Sequence, residues 1–315
     1  MGDMTLKVFA GNSNPTLVQG ICQSLGIEAG AIEFISFSNE NVKVKICENV
    51  RGCDVFLIQT SCPPVNDNLM ELLIALDALK YASAGRITAV LPYYPYVLAD
   101  SKDEPRISVA ARLVADLLVE AGADRILTMT LHSPQVVGFC RIPVDQLSGV
   151  PPICQHFSDH LDLSHCVAAA PDISRAKVTE AYARQLGLPL VVIDNRFSPE
   201  GDMRVHGVIG SVEGRDVLLF DDEIITGESI LDGAGAVLAR GARSVHAGCV
   251  HGTLAPGAAA RIIDSQLESL VVTDTIPQAS HAGAETRFGV VSVADHFADA
   301  IQAIHQETSI SALFK

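Results

Sequence analysis

The sequence predicts an α/β protein with two mainly parallel β-sheets, each flanked by helices. Short β-branched and apolar runs alternate with longer segments in which apolar residues recur at helical spacing. Gly122 and Gly241 stand where helical segments return to strands, a position at which a left-handed glycine commonly ends a helix. Strand–helix–strand alternation produces parallel strands with helices on both faces of the sheet.

The strands are predicted from short runs that are apolar along most of their length, as expected for strands buried on both faces. These runs are Lys7–Ala10, Val55–Thr60, Ile87–Pro92, Ile126–Leu131, Val167–Ala170, Leu190–Asp194, Val217–Asp221, Ser244–Cys249 and Leu270–Thr273. The helices are predicted from segments with apolar residues three and four positions apart. These segments are Asn68–Ser83, Ser108–Ala121, Ala176–Leu186, Gly227–Arg240 and Ala255–Asp264.

A break in both patterns at Gly149-Val150-Pro151-Pro152 divides the chain into two similar halves. The length of 315 residues is also typical of two domains. We therefore expect an N-terminal domain over 1–148 and a C-terminal domain over 149–300. In sheets of this kind ligands bind beyond the carboxyl ends of the strands, so the residues after each strand are the first candidates for a site.

The composition excludes several classes of protein. Hydrophobic residues make up 48% of the chain, which argues against disorder, and a net charge of −15 argues against nucleic-acid binding. Charges such as Arg112, Asp116 and Glu120 interrupt the apolar stretches, so no run reaches the roughly 20 residues of a membrane-spanning helix. An apolar composition with few charges favours a subunit that buries surface against copies of itself.

Cysteine and histidine spacing indicates no metal site. The eight cysteines form no C-x-x-C pair, so reduced, buried thiols are favoured, and with no hydrophobic signal segment at the N-terminus we expect a cytoplasmic protein. His156, His160 and His165 lack a matching Cys or an H-E-x-x-H pattern. A solvated helix face and loop is therefore the favoured interpretation of these histidines.

The segment after the strand Val217–Asp221 gives the strongest local indication of a binding site. Two acids end the strand, and a loop rich in Thr, Gly and Ser opens the next helix. Such a loop presents backbone N–H groups and a positive helix end to a phosphate, while the acids hold ribose hydroxyls or a metal ion. A surface turn with a capping Thr or Ser is the competing interpretation. The residues concerned are Asp221, Asp222, Thr226, Gly227 and Ser229.

Segments spread from one end of the chain to the other carry a family resemblance. They are Phe9-Ala-Gly-Asn-Ser-Asn-Pro, Phe37-Ser-Asn, Pro64-Val-Asn-Asp-Asn-Leu-Met-Glu-Leu-Leu, Ala84-Gly-Arg-Ile-Thr-Ala-Val-Leu-Pro-Tyr-Tyr, Leu131-His-Ser-Pro-Gln and Ser309-Ile-Ser-Ala-Leu-Phe. In these segments the chain resembles ribose-phosphate pyrophosphokinase (PRPP synthetase). The resemblance implies that 1–148 and 149–300 are phosphoribosyltransferase-like domains and that 301–315 is a tail packed back on the first.

The same resemblance implies an activity and its ligands. The family transfers a pyrophosphoryl group from Mg-ATP to the 1-hydroxyl of ribose 5-phosphate, and it forms dimers and hexamers. Mg²⁺ is therefore the implied cofactor, and ATP or ADP and ribose 5-phosphate are the implied ligands. A second copy of the chain, or an active PRPP synthetase paralogue, is the implied protein partner.

Several positions match functional residues of the family. The match implies adenine contacts for Phe37 and Asn39, a place near the ATP phosphates and a metal for His132, and a place near metal and ribose for Asp172. It implies a regulatory nucleotide contact for Asp145, and ribose-5-phosphate contacts for Asp221, Asp222, Thr226, Gly227 and Ser229.

The departures from the family pattern fall on the phosphate chemistry. The Lys and Arg of the family's catalytic arm are Asn195 and Phe197, its Arg-Gln pair is Leu98-Ala99, and its Gly-Gly is Ser174-Arg175. The family's Asp-Leu-His is Thr130-Leu131-His132 in this chain, so a threonine replaces the acid. Phosphoryl transfer depends on cations that stabilise the charged transition state, so loss of both arm cations is expected to lower the rate by roughly 10⁴–10⁶.

The pattern is compatible with two functions. The favoured one is a catalytically impaired member of the family that acts as a regulatory or partner subunit of an active synthetase. The alternative is a working, divergent ribose-phosphate diphosphokinase that converts ATP and ribose 5-phosphate to PRPP and AMP. The first predicts no AMP formation, and the second predicts that Asp221→Ala or His132→Ala abolishes turnover.

Overall fold

The computed structural model describes residues 4–197, 203–278 and 287–311, and the chain divides into two compact units. The first unit comprises Met1–Ser148, Thr275–Pro277 and Val293–Lys315, and the second comprises Gly149–Asp274 and Gln278–Ser292. The predicted fold class is confirmed, because both units contain mainly parallel sheets flanked by helices. Among the described residues, no helix has both the length and the hydrophobicity required to span a membrane.

The first 148 residues contain seven strands and three α-helices in the described part of the chain. In chain order these are β1 (Leu6–Ala10), α1 (Pro15–Leu25), β2 (Ile32–Ser36), β3 (Val42–Ile46), β4 (Asp54–Ile58), α2 (Val65–Tyr81), β5 (Arg86–Leu91), α3 (Ala110–Ala121), β6 (Arg125–Met129) and β7 (Val144–Leu147).

The later elements follow in the same alternating order. They are α4 (Val150–His160), β8 (Cys166–Ala170), α5 (Ala176–Leu186), β9 (Leu190–Phe197), β10 (Met203–Ile209), β11 (Asp216–Ile224), α6 (Glu228–Leu238), β12 (Ser244–Gly252), α7 (Ala258–Ile263), β13 (Ser269–Thr273), β14 (Phe288–Val291) and α8 (Ala294–His305).

The first unit is built on a five-stranded parallel sheet in the order β1-β4-β5-β6-β7, and β2 and β3 form a separate antiparallel hairpin. The helix α8 belongs to this unit and packs against α1, where the Ser24 hydroxyl donates to Asp295 at 2.5 Å. Residue 300, where the sequence-based C-terminal domain ends, therefore lies inside a helix of the first unit. The division into 1–148, 149–300 and a tail at 301–315 stays a prediction.

The second unit is built on a seven-stranded sheet in the order β10-β9-β8-β11-β12-β13-β14, in which the pairing of β9 with β10 is antiparallel and the others are parallel. Its central strand β11 is buried almost throughout. The Phe220 ring on this strand stacks on Tyr182 with centroids 4.2 Å apart, and Phe157 contacts it edge-on. These ring contacts stabilise β11, the strand that carries the predicted acids Asp221 and Asp222.

The nine predicted strands are all present, and several are longer than predicted. The strand β11 continues to Ile224 because its hydrogen-bonded pairing with β12 continues past the two acids. The predicted helix Gly227–Arg240 begins one residue later, at Glu228, because Gly227 has a φ of +81°. Gly122 ends α3 with a φ of +116°, so the predicted left-handed cap is confirmed there.

Candidate functional site

The predicted acids lie at the carboxyl end of β11. The pairing of β11 with β8 ends at Leu219, whereas its pairing with β12 extends to Ile224, so the strand projects beyond one neighbour. Asp221 and Asp222 lie on this projecting segment and are nevertheless buried. The backbone N–H of Asp222 donates to Oδ1 of Asp221 at 2.9 Å, which ties the first carboxylate to the strand.

The two acids share a partner that the family resemblance does not include. Arg175 places Nη1 2.9 Å from Oδ1 of Asp222 and Nε 3.5 Å from Oδ1 of Asp221. Its side chain is only 16% exposed. One guanidinium group is therefore held against both carboxylates within the second unit.

A short turn after β8 holds Arg175 in this position. Residues Ile173–Arg175 form one turn of 3-10 helix, and Asp172 caps it by accepting from the Arg175 N–H at 3.1 Å. The Ser174 hydroxyl also donates to Asp172, at 2.5 Å. The Asp172 carboxylate thus stabilises this turn. The family resemblance implies a place near metal and ribose for the same carboxylate.

The electrostatics of the pair follow from its burial. Burial raises the pKa of the Asp221 carboxyl well above its usual range, and the neighbouring Asp222 raises it further, whereas Arg175 acts in the opposite direction. Two adjacent buried carboxylates resist carrying two full negative charges unless a cation lies beside them. Among the side chains that the structure describes, Arg175 supplies such a cation.

Whether the acid pair can bind Mg²⁺ depends on the contacts that its carboxylates already make. Mg²⁺ prefers oxygen ligands in near-octahedral geometry, commonly one or two carboxylates together with substrate phosphates and water. Asp172 already caps a turn, Asp221 and Asp222 already face a guanidinium, and no group of three or more His, Cys, Asp or Glu side chains converges anywhere in the described residues. The acid pair therefore does not fit a resident divalent cation.

The predicted phosphate loop connects β11 to α6. Gly227 adopts a φ of +81°, and a Cβ added there would lie 2.9 Å from Cδ1 of Ile262, so the turn requires glycine. The Thr226 hydroxyl accepts from the N–H of Glu228 at 3.3 Å, and the Thr226 carbonyl accepts from Nη2 of Arg261 at 2.8 Å. Ser229 follows in the first turn of α6, where backbone N–H groups and the helix dipole favour an anion.

Arg261 was not predicted from the sequence as part of this loop. It lies on α7, more than thirty residues after Thr226, and no local motif connects the two positions. Asn195 and Phe197 lie on β9, where their backbones pair with Val205 and Met203, and their side chains are outside the described part of the chain.

The predicted adenine residues lie on the hairpin of the first unit. Phe37 and Asn39 belong to the turn between β2 and β3, where the Phe37 N–H donates to the Asn41 carbonyl at 2.9 Å. The Asn39 side chain accepts from the Asn41 N–H at 3.3 Å and so closes the turn. The Phe37 ring is 50% exposed, which leaves an aromatic face open on the surface of this unit.

His132 follows β6 in the first unit and has an acid nearby that was not predicted from the sequence. Asp100 has its pKa lowered by hydrogen bonding with Ser133, with smaller contributions from Ser101 and from His132. Thr130, where the family has an acid, adopts a φ of +39°, an unusual conformation for a β-branched residue. Asp100, on the loop between β5 and α3, is therefore an acid that interacts electrostatically with His132.

Asp145 lines an open cavity of about 460 Å³ in the first unit. It forms an ion pair with Arg125 across the neighbouring strands β6 and β7. Arg86 and the hydroxyl-bearing residues Thr308 and Ser309 also line this cavity. Glu307 lines it as well, so two carboxylates balance the two guanidinium groups, and the guanidinium and hydroxyl donors are the groups able to bind phosphate oxygens.

Comparison with known proteins agrees with the fold. Residues 6–122 match the N-terminal domain of ribose phosphate pyrophosphokinase, and residues 199–315 match the phosphoribosyl synthetase-associated domain. A ribose-phosphate pyrophosphokinase of Agrobacterium fabrum is 42% identical over 309 residues, which cover 98% of this chain and all of the relative. One from Clostridium acetobutylicum is 43% identical over 98% of this chain and 97% of its own length.

A solved structure extends the agreement to three dimensions. The crystal structure of phosphoribosylpyrophosphate synthetase from Mycobacterium smegmatis superposes with a TM-score of 0.90 at 36% sequence identity, covering 96% of this chain and 99% of that one. The two α/β units thus define a protein of the phosphoribosyltransferase-like fold. The chain belongs to the ribose-phosphate pyrophosphokinase family, as its sequence resemblance indicated.

Proposed function

We propose that the chain is a ribose-phosphate diphosphokinase, which converts ATP and ribose 5-phosphate to PRPP and AMP. In this reaction the 1-hydroxyl oxygen of the sugar attacks the β-phosphorus of ATP. The bond from that phosphorus to the oxygen shared with the α-phosphate breaks, AMP leaves, and the hydroxyl proton is released. The observation that carries the proposal is the similarity to ribose-phosphate pyrophosphokinases at 42–43% identity over nearly the whole chain.

The second unit supplies the sugar-phosphate contacts in this proposal. The carboxylates of Asp221 and Asp222 accept hydrogen bonds from ribose hydroxyls, since both lie at the carboxyl end of a central parallel strand. The 5-phosphate binds to the loop N–H groups around Thr226 and Ser229 at the start of α6. Arg261 is a positioning residue, because its contact with the Thr226 carbonyl fixes the loop.

The first unit supplies the nucleotide contacts. The half-exposed ring of Phe37 stacks on adenine, and Asn39 keeps its turn in shape. His132, with Asp100 nearby, faces the phosphates. Mg²⁺ enters with the nucleotide as Mg-ATP, and it neutralises phosphate charge when bound.

The test is AMP and PRPP formation by the purified chain with Mg-ATP and ribose 5-phosphate. We expect equal amounts of the two products, with rates at least 100-fold lower in Asp221→Ala and in His132→Ala. Asp232→Ala, which removes an exposed acid from α6, is the matched control and should leave the rate unchanged. Absence of products from the wild-type chain, or an unchanged rate in both variants, would refute the proposal.

A second candidate is a catalytically impaired subunit that regulates an active synthetase. The observation that favours it is the pairing of Arg175 with Asp221 and Asp222, together with Asn195 and Phe197 at the family's arm positions. This candidate predicts no product from the chain alone and an altered rate when the chain is mixed with an active PRPP synthetase. An unchanged rate in the mixture, with no co-elution of the two proteins, would exclude it.

Under either candidate, we propose that the cavity at Asp145 binds a regulatory nucleotide such as ADP and that the chain assembles with copies of itself. Arg125 and Arg86 line this cavity, where Arg125 is already ion-paired with Asp145 and Arg86 with Asp54, and their remaining N–H groups donate to the phosphates. ADP binding measured by calorimetry should weaken in Arg125→Ala. Sedimentation of the purified chain should give a dimer or a larger species, and a monomer at micromolar concentration would contradict self-assembly.

A further inference from the structure

The guanidinium of Arg175 lies against the acid pair to which the proposed function assigns the ribose hydroxyls. It lies within 2.9 Å of Asp222 and 3.5 Å of Asp221, and all three side chains are shielded from solvent. Charge-assisted contacts of this kind are stronger than neutral hydrogen bonds, and more so in a buried setting. A sugar hydroxyl or a divalent cation must therefore compete with a cation that is covalently part of the chain.

The backbone of Arg175 is fixed on both sides, so the side chain is not a freely moving surface arm. Its N–H donates to the Asp172 carboxylate at 3.1 Å, and its carbonyl accepts from the Thr179 hydroxyl at 3.0 Å. Thr179 is fully buried on α5. The turn therefore presents the guanidinium to the acids before any ligand arrives, which makes the contact part of the fold.

We infer that Arg175 is a specificity-determining residue that closes the acid pair to divalent cations and weakens its hold on ribose hydroxyls. This inference rests on the proposed function, in which the same acids contact the sugar. The chemistry is a competition between two kinds of cation for the same carboxylates. A tethered guanidinium has the advantage of high effective concentration over a metal ion from solution.

The experiment measures Mn²⁺ binding by electron paramagnetic resonance and ribose 5-phosphate binding by calorimetry, both without turnover. Wild type is compared with Arg175→Gly and Arg175→Gln, which remove the cation, and with Arg175→Lys, which keeps it. Arg184→Ala removes an exposed arginine from α5, in an ion pair with Glu180, and is the matched control for loss of one positive charge. Thermal melting establishes that each variant is folded.

We expect Arg175→Gly and Arg175→Gln to bind Mn²⁺ at least tenfold more tightly than wild type, with ribose 5-phosphate affinity rising in the same variants. Arg175→Lys and Arg184→Ala should remain within threefold of wild type. Unchanged Mn²⁺ affinity in the folded Gly and Gln variants would overturn the inference. Weaker ribose 5-phosphate binding in them would also overturn it, because Arg175 would then be a ligand contact.

The outcome is separable from that of the proposed function. Mn²⁺ binding is measured on the resting protein, so it decides the role of Arg175 whether or not the chain forms PRPP. If the wild type turns over and Arg175→Gly shows no change in Mn²⁺ affinity, the inference fails and the proposed function stands. If Arg175→Gly gains Mn²⁺ affinity while wild type forms no product, the proposed function fails and the inference stands.

Discussion

The Arg86 guanidinium forms a two-point ion pair with the fully buried carboxylate of Asp54. The Nε–Oδ1 distance is 2.8 Å and the Nη2–Oδ2 distance is 2.6 Å. His305 of α8 reaches the same carboxylate, with Nδ1 2.8 Å from Oδ2, and Arg86 also donates to the Ile304 carbonyl at 3.0 Å. One buried acid at the start of β4 thus connects two neighbouring strands to the C-terminal helix.

Removing this acid is expected to destabilise the first unit strongly. Asp54→Ala leaves the Arg86 charge largely buried with no carboxylate beside it, a change that costs about 3–5 kcal/mol in buried pairs. Urea unfolding followed by circular dichroism measures the change. Asp77→Ala removes an exposed acid from the C-terminal half of α2, and as the control it should cost less than about 0.5 kcal/mol. A loss of less than about 1 kcal/mol in Asp54→Ala would contradict the importance of this contact.

The turn at Gly227 gives a second prediction, with a matched control on the adjoining helix. Gly227→Ala is expected to lower the free energy of unfolding by about 1–2 kcal/mol, because the residue has a positive φ and the new Cβ would press on Ile262. Gly235→Ala lies in the interior of α6 with open space around it and should raise stability by about 0.5–1 kcal/mol. Thermal and urea unfolding of both variants measure the difference. A change of the same sign in both variants would show that backbone conformation does not decide the effect.

The fold could be predicted from the sequence mainly where strands are buried on both faces. Runs such as Val55–Thr60 and Val217–Asp221 are apolar along most of their length, and the strands that they form are buried almost throughout. The hairpin of β2 and β3 was not predicted, although Val42–Ile46 alternates Val with Lys, the pattern of a strand with one face in water. The helix α1 was not predicted either, although Asn14 followed by Pro15 is a typical helix start.

The positions of the candidate site residues could be predicted from the sequence, but the contacts between their side chains could not. Asp221 and Asp222 are recognisable because they follow an apolar run and precede a glycine turn. Arg175 contacts those acids only because β8 pairs with β11. This pairing brings together residues that are more than forty positions apart in the sequence. Arg261 is a similar case, since its contact with Thr226 depends on where α7 packs.

The pH dependence of stability is expected to include a contribution from Asp216. Arg243, whose Nε donates to Oδ1 at 2.7 Å, holds the pKa of this carboxyl below its usual range, while burial opposes the shift. Because the pKa of this carboxyl is lower in the folded than in the unfolded state, the carboxylate stabilises the fold at pH values above its unfolded pKa of about 3.9. This stabilisation is lost as the pH falls through the pKa of the folded state. Asp216→Asn should therefore be less stable than wild type near neutral pH, with the difference shrinking as the solution is acidified. Urea midpoints measured along this range provide the check, and a difference that grows on acidification would reverse the sign.

The exposed ring of Phe37 gives a prediction that separates ligand binding from stability. Phe37→Ala should weaken ATP binding by about 5- to 150-fold, since stacking of a base on an aromatic ring contributes about 1–3 kcal/mol. It should leave the unfolding midpoint nearly unchanged, because half of the ring is already in water. Tyr81→Ala removes another aromatic ring of the same unit, 82% exposed at the end of α2, and should affect neither quantity. Calorimetric titration with ATP and thermal melting of the two variants make the comparison. Equal ATP affinity in Phe37→Ala and Tyr81→Ala would show that the hairpin turn does not contact the base.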